Sequence, residues 1–245
     1  MIISHSKRFV LLSPWKAASQ TTQARLAAFQ ESTYEPFYHF NPVLNRVVHQ
    51  HLTCAEFSCL PEADRGYRIA SFIRNPYDRA YSGFLQVRRD VENQPLRDYP
   101  APWIKELVVR QVEENRRQLE RARYDFDDWI ALLKEEQVRN LGGNSSLPLH
   151  PGHYWTHLGR HPFVEFVARV ERFEEDFQRL VAWLGIEAER IAVANCNQSG
   201  LPGAGSHGYR HLHRMHARSI AKINTLFADD FELLGYERCT AGGMP

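Results

Sequence analysis

A lysine, an arginine and two histidines are the residues of this chain best suited to handling an anion and a proton. Lys16 stands in Pro14-Trp15-Lys16-Ala17-Ala18-Ser19-Gln20-Thr21-Thr22, directly after the apolar run Phe9-Val10-Leu11-Leu12. Arg74 follows a second strand-like stretch, Tyr67 to Ile73, YRIASFI, and Ser82 comes eight residues later. His49 and His51 form a His-x-His pair between the two. A lysine beside a helix N-terminus, where N–H groups lack carbonyl partners, is a setting for a phosphate-like anion. A buried strand running plainly into a helix explains the same residues, and the sequence alone leaves both readings open. His-x-His can be two exposed strand residues, two metal ligands, or a general base with a neighbour; spacing alone favours the first.

The elements that must hold these residues are legible in outline. Phe9 to Leu12 has the unbroken apolar pattern of a strand buried on both faces. Ser13 and Pro14 end it, and Ser19, Gln20, Thr21 and Thr22 are N-cap candidates for a helix that follows. Tyr67 to Ile73 reads as the next strand. Asn75 then suits an N-cap and Pro76 a first helical position, so Arg74 lies at the strand's C-terminal end and Ser82 about two turns into the helix. In open parallel sheets that end of the strands is where ligands gather.

With 245 residues, 43% of them hydrophobic, the chain can form one sizeable α/β domain or two small ones. Lys and Arg number 30 against 29 Asp and Glu, so no global field argues for nucleic acid or a membrane surface, and any anion site is local. No apolar run reaches the roughly 20 residues of a membrane span and no signal-type segment precedes Phe9, which leads us to expect a cytoplasmic protein. Cys54, Cys59, Cys196 and Cys239 lack paired spacing and read as free thiols.

Pro14 to Thr21, PWKAASQT, and Arg74 to Phe84, RNPYDRAYSGF, together resemble the two cofactor motifs of PAPS-dependent sulfotransferases, in particular the carbohydrate and uronyl 2-O-sulfotransferase branch. The first motif of that family typically reads P-K-x-A-x-T-S and cradles the 5′-phosphosulfate. The second reads R-x-P-x-x-R-x-x-S and holds the 3′-phosphate. Three more stretches extend the resemblance over nearly the whole chain: His49 to Thr53, similar to the family's H-x-H base segment; Phe163 to Leu180, similar to its strand-turn-helix; and Leu226 to Glu237, similar to its closing Y/F-x-x-D-F-x-x-F-G-Y. The chain departs from the pattern at Trp15, which stands between Pro14 and Lys16, at Ala18 where glycine is usual, and at Gln20 where Thr or Ser is common. Thr21 or Thr22 is then the expected hydroxyl donor, and Ala18 can serve only where the backbone needs no positive φ.

The resemblance implies an α/β fold, P-loop NTPase-like and three-layered, with a central, mainly parallel sheet flanked by helices. It implies one sulfotransferase-like domain over residues 1–245 with a helical insertion at about 95–150. It further implies transfer of a sulfuryl group from PAPS to a hydroxyl acceptor, expected to be a saccharide, by in-line displacement. Lys16 would neutralise the leaving oxygen, and His51, with His49 in reserve, would take the acceptor's proton. Pro14 to Thr22, Arg74, Ser82, Tyr209 and Arg210 would bind the donor, the last two at the end of a Gly-rich Ser199–Arg210 lid. Arg74 and Ser82 on a 3′-phosphate would discriminate PAPS from ATP. Glu171 either steadies the site or is a plain helix N-terminal carboxylate. The sulfuryl unit lacks the double charge of a terminal phosphate, so no metal is expected. The alternatives are a P-loop-like nucleotide kinase, disfavoured by missing Walker glycines and Lys-Ser/Thr pair, and a non-catalytic nucleotide- or glycan-binding module.

Elsewhere Pro102 to Arg123 reads as an amphipathic helix whose Arg116, Arg117, Arg121 and Arg123 are either solvated or grip an acidic saccharide. Tyr124 to Val138 reads as a second helix, and Gly142 to Gly152 as a loop. Spacings of four would put His153, His157 and His161 on one helix face as metal ligands, a picture weakened by Pro162.

Overall fold

A computed structural model of the chain describes residues 1–32, 38–139, 149–186 and 209–240. In chain order the elements are β1 (Ile2–Ser4), β2 (Phe9–Leu12), α1 (Ser19–Arg25), β3 (His39–Asn41), β4 (Arg46–Val48), α2 (Cys54–Phe57), β5 (Arg68–Ile73), α3 (Pro76–Asn93), α4 (Pro102–Arg121), α5 (Phe126–Leu132), α6 (Glu135–Arg139), β6 (His157–Leu158), β7 (His161–Pro162), β8 (Phe166–Arg169), α7 (Phe173–Leu184), α8 (Ala217–Leu226) and α9 (Ala228–Leu234). The described residues form two compact units. One comprises the described residues of Met1–Arg74 and Gly152–Gly208, the other those of Asn75–Pro151 and Tyr209–Pro245.

The first unit is built on a four-stranded sheet, β1-β2-β5-β8. β2 pairs parallel with β5 and β5 with β8, while β1 runs antiparallel on the edge of β2. The alternation of side chains explains the sequence pattern. Phe9 and Leu11 point with Ala70, Phe72 and Ala168 into one core, closed by Leu26 and Phe29 beyond α1 and by Phe173, Phe177 and Leu180 of α7. Val10 and Leu12 point with Ile3 to the opposite core, closed by Leu52, Phe57, Leu60 and Trp155. Both faces are covered, so the run is apolar at every position. The architecture is therefore α/β, with a mainly parallel sheet between flanking helices.

The expected strands at Phe9 and Tyr67 and the strand-turn-helix at Phe163 are present as β2, β5 and β8–α7. β1 precedes the strand expected to come first, because three residues are too few to show a periodicity. His49 and His51 are not strand residues: β4 ends at Val48, pairs with β3 in a separate hairpin, and leaves both histidines beyond it. Asn41 Oδ1 accepts the N–H groups of Val43 and Leu44 and so closes that hairpin's turn.

In the second unit α3 starts as its sequence demands. The Asn75 side chain accepts the Asp78 N–H and Pro76 occupies the first turn. α3 packs on α4, α5 and α8. The single helix expected over Tyr124 to Val138 is two, because Leu133 takes an extended ψ of 131° and the Gln137 side chain caps the restart by accepting the Lys134 N–H. α4 keeps Ile104, Val108, Val112 and Leu119 inward. Arg116 and Arg117 pair with Glu113, and Arg116 also donates to the Val91 carbonyl. Among the described residues no helix is long and apolar enough to cross a membrane. Cys54, Cys59 and Cys239 carry no disulfide, and Cys196 lies outside the described residues.

Candidate functional site

In the first unit the residues singled out by chemistry converge on one turn of chain, Ser13 to Ala18. The turn is tight: Lys16 and Ala18 both have left-handed backbones, with φ of 61° and 58°. Ala18 is itself the N-cap of α1 and brings no side-chain cap, so the cap is none of Ser19, Gln20, Thr21 or Thr22, which lie inside the helix. The positive φ that the usual glycine would supply is thus required here and is borne by alanine. Pro14 and Ala17 are buried, Trp15 and Lys16 half-buried, and Gln20 exposed. Thr22, one of the two expected hydroxyl donors, is buried and donates to the Ala18 carbonyl at 2.9 Å, leaving the half-buried Thr21 as the other.

Two side chains from later in the sequence grip this turn. The buried Arg74, at the end of β5, donates from Nη1 to the Lys16 carbonyl at 3.4 Å. His51 donates from Nδ1 to the Ser13 carbonyl. A carbonyl can only accept, so this bond fixes the tautomer: the proton sits on Nδ1, and Nε2 carries the lone pair. Burial, and after it the neighbouring His49, hold the imidazole pKa well below its ordinary value, so at neutral pH the ring is uncharged.

The histidine segment is held from several directions. The Met1 nitrogen donates to the Gln50 carbonyl at 2.8 Å, and Trp155 Nε1 to the His51 carbonyl at 3.2 Å. Immediately after it, Thr53 and Glu56 form a reciprocal capping box on α2, and Arg46 forms an ion pair with Glu56. The rings then stack. Trp15 lies 3.9 Å from His51 and 4.9 Å from His49 between centroids, the two imidazoles are parallel at 4.7 Å, and Tyr38 meets His49 edge-on at 5.0 Å.

A carboxylate that joins β8 to α7 is Asp176. It is buried and accepts the Arg169 N–H at 2.7 Å, with Arg179 at 3.0 Å. Glu171 sits half-buried in the intervening short helix. His153, His157 and His161 do not share a helix: the first lies in a short 3-10 turn, the others on β6 and β7. Among the described residues no three His, Cys, Asp or Glu side chains are grouped as a metal site.

The second unit carries Ser82, Tyr209 and Arg210. Ser82 is half-buried on α3. One turn earlier, the buried Asp78 accepts the backbone N–H of Arg210 at 3.1 Å, that of His211 at 2.8 Å and His211 Nδ1 at 2.9 Å. The His211 ring stacks on Tyr81 at 4.7 Å, and the Tyr209 hydroxyl donates to the Glu237 carbonyl. Asp78 was invisible as an anchor in the sequence because it already satisfies a local role at the third helical position, and nothing marks its partners 132 and 133 residues away. Arg79, the second arginine of the RNPYDRAYS segment, is turned into the core of this unit, where it pairs with Asp230 at 2.7 Å. Ser199 to Gly208, the body of the expected lid, lies outside the described residues.

No curated protein and no solved structure matches the chain. A family model does, over residues 1–237, and its description is the Sulfotransferase family. The match takes in the Lys16 turn, the histidine pair, Arg74 and the closing helix alike, and the chain belongs to the sulfotransferase family, a transferase that delivers a sulfuryl group to a hydroxyl-bearing acceptor.

Proposed function

We propose that the protein transfers the sulfuryl group of PAPS to a carbohydrate hydroxyl, with His51 as general base. The observation that carries this reading is the convergence of His51, Arg74 and Trp15 on the Ser13–Lys16 turn, with the bonded Nδ1 leaving Nε2 as the proton-accepting atom. The parallel β2-to-α1 strand-turn-helix also supports a P-loop-like reading of the sheet.

In this mechanism the acceptor oxygen bonds to sulfur while the bond from sulfur to the 5′-phosphate oxygen breaks, and the acceptor's proton passes to His51 Nε2. The step needs alignment and charge neutralisation more than covalent help. Lys16 supplies positive charge to the departing phosphate oxygen, and Arg74 a forked cation for the donor's 3′-phosphate. The left-handed backbone at Lys16, held through its carbonyl by Arg74, couples the two cations. Roles for Ser82, Tyr209 and Arg210 rest on the motif resemblance alone, as does the saccharide class of the acceptor. His49 is the neighbouring imidazole and the reserve candidate for the base; its charge disfavours protonation of His51.

The test is calorimetric titration with 3′,5′-bisphosphoadenosine and, separately, ATP with Mg²⁺, followed by turnover of PAPS on a carbohydrate panel. We expect binding of the first nucleotide and not the second, and a loss of about 10²- to 10⁴-fold in turnover for His51→Ala with bisphosphoadenosine binding intact. Preference for ATP, or normal turnover of His51→Ala, overturns the reading.

A further inference from the structure

We propose that Trp15 is a positioning residue for His51: its indole forms one wall of the imidazole's slot and ties the base to the turn that carries Lys16. This inference rests on the reading of His51 as the base.

His51 is fixed by two different parts of the same turn. Ser13 holds its edge through the carbonyl bond to Nδ1, and Trp15, two residues later, covers its face at 3.9 Å with the planes 32° apart. A hydrogen bond alone leaves an imidazole able to swing about the donor–acceptor axis. A ring against its face removes that freedom. His49, parallel to His51 within 2° at 4.7 Å, completes a triangle of three rings with it and the indole, and Tyr38 meets His49 edge-on at 71°. Trp15 also reaches His49 at 4.9 Å, so one indole touches both imidazoles. Trp15 is also packed against the buried cluster that includes Leu12, Leu52 and Trp155.

Trp15 immediately precedes Lys16, whose left-handed φ of 61° and Arg74-bound carbonyl leave the two residues little independent motion. The lysine and the base are thereby set in one register, and a donor bound at the turn meets a base already aimed. The indole has a second effect, excluding water from the imidazole. Burial is the largest influence against protonation of His51; the charged or titratable groups His49, the Met1 amino group and Lys16 act in the same direction, and the bond to the Ser13 carbonyl opposes them. Removing the indole hydrates the ring and leaves those three groups in place, so the His51 pKa moves up toward the ordinary imidazole value.

The experiment compares wild type, Trp15→Ala and Trp15→Phe by NMR titration of the His51 ring in the absence of any nucleotide, and by steady-state turnover with bisphosphoadenosine affinity measured in parallel. In Trp15→Ala we expect the His51 titration and the acid limb of the pH–rate profile to move to higher pH. We also expect turnover to fall about 10- to 100-fold from misalignment of the base, with bisphosphoadenosine affinity retained. Trp15→Phe, which keeps a ring on the imidazole and guards against simple misfolding, should restore most of both. An unmoved His51 titration in Trp15→Ala overturns the proposal, as does a turnover loss that tracks an equal loss of bisphosphoadenosine affinity. If the sulfotransferase reading itself fails, wild type shows no turnover, while the NMR arm still decides whether Trp15 sets the state of His51.

Discussion

His51 places an uncharged imidazole in the core of the first unit, and that has a consequence for stability as well as for chemistry. Its pKa in the folded protein lies well below the value near 6.5 of an exposed histidine, chiefly through burial. Between those two values the unfolded chain binds more protons than the folded one, so stability rises with pH. The contribution is therefore fully present above about pH 6.5 and is lost as the pH falls toward the folded-state pKa, at no more than about 1.4 kcal/mol per pH unit. His51→Gln keeps a donor for the Ser13 carbonyl and removes the titration. Urea unfolding at pH 7.5 and 5.5 should show a smaller difference between the two pH values for this variant than for wild type. An unchanged difference would place the acid sensitivity in other groups.

At the scale of elements, the turn before α1 shows what a sequence can and cannot tell. Ala18 carries φ of 58° at the N-cap, a conformation that costs an L-residue roughly 1–2 kcal/mol, while glycine would add about 0.4–1 kcal/mol of unfolded-state entropy. Ala18→Gly should thus stabilise the protein by about 0.5 to 1 kcal/mol, read as a higher urea midpoint at constant m; a lower midpoint would show that the strain is relieved by neighbours. β2 was legible because burial on both faces removes polar residues from every position, β5 because its last residues, Ala70 to Ile73, are buried and mostly apolar, and α3 because Asn75 and Pro76 meet the chemistry of a helix start. The left-handed residues were not, since nothing in Lys16 or Ala18 announces a positive φ. The Leu133 break was equally silent, lacking a proline or glycine and depending on the Gln137 cap. Within the site, Lys16, Arg74 and His51 were nameable from residue type and spacing. The contacts that aim them, Ser13 carbonyl to His51 and Trp155 to the His51 carbonyl, span 38 and 104 residues and leave no local trace.

At the scale of the whole molecule, each compact unit is assembled from two separate stretches of chain, so its cohesion depends on long-range pairs. In the second unit the decisive pair is Arg79 with Asp230, each about 1% exposed and 151 residues apart. It joins α3, in the RNPYDRAYS segment, to α9, in the closing LFADDFELLGYE, which gives a physical reason for both segments to occur together. Arg79 also donates to the His150 carbonyl and lies over the Phe227 ring at 4.8 Å. Burial lowers the Arg79 pKa, and Asp230 acts against that shift. Two desolvated charges gain little over an apolar pair of the same volume, but one alone is costly. Asp230→Ala should therefore lose about 3–5 kcal/mol, because it strands the guanidinium in the core. Replacing both, Arg79→Met with Asp230→Leu, removes the stranded charge. It leaves the His150 carbonyl without this donor, a residual cost of about 1–3 kcal/mol. The double variant should accordingly be more stable than Asp230→Ala alone in chemical denaturation. A double variant as unstable as the single one would mean that the pair supplies net attraction rather than mutual neutralisation, and that the two segments are joined by charge and not merely compensated in it.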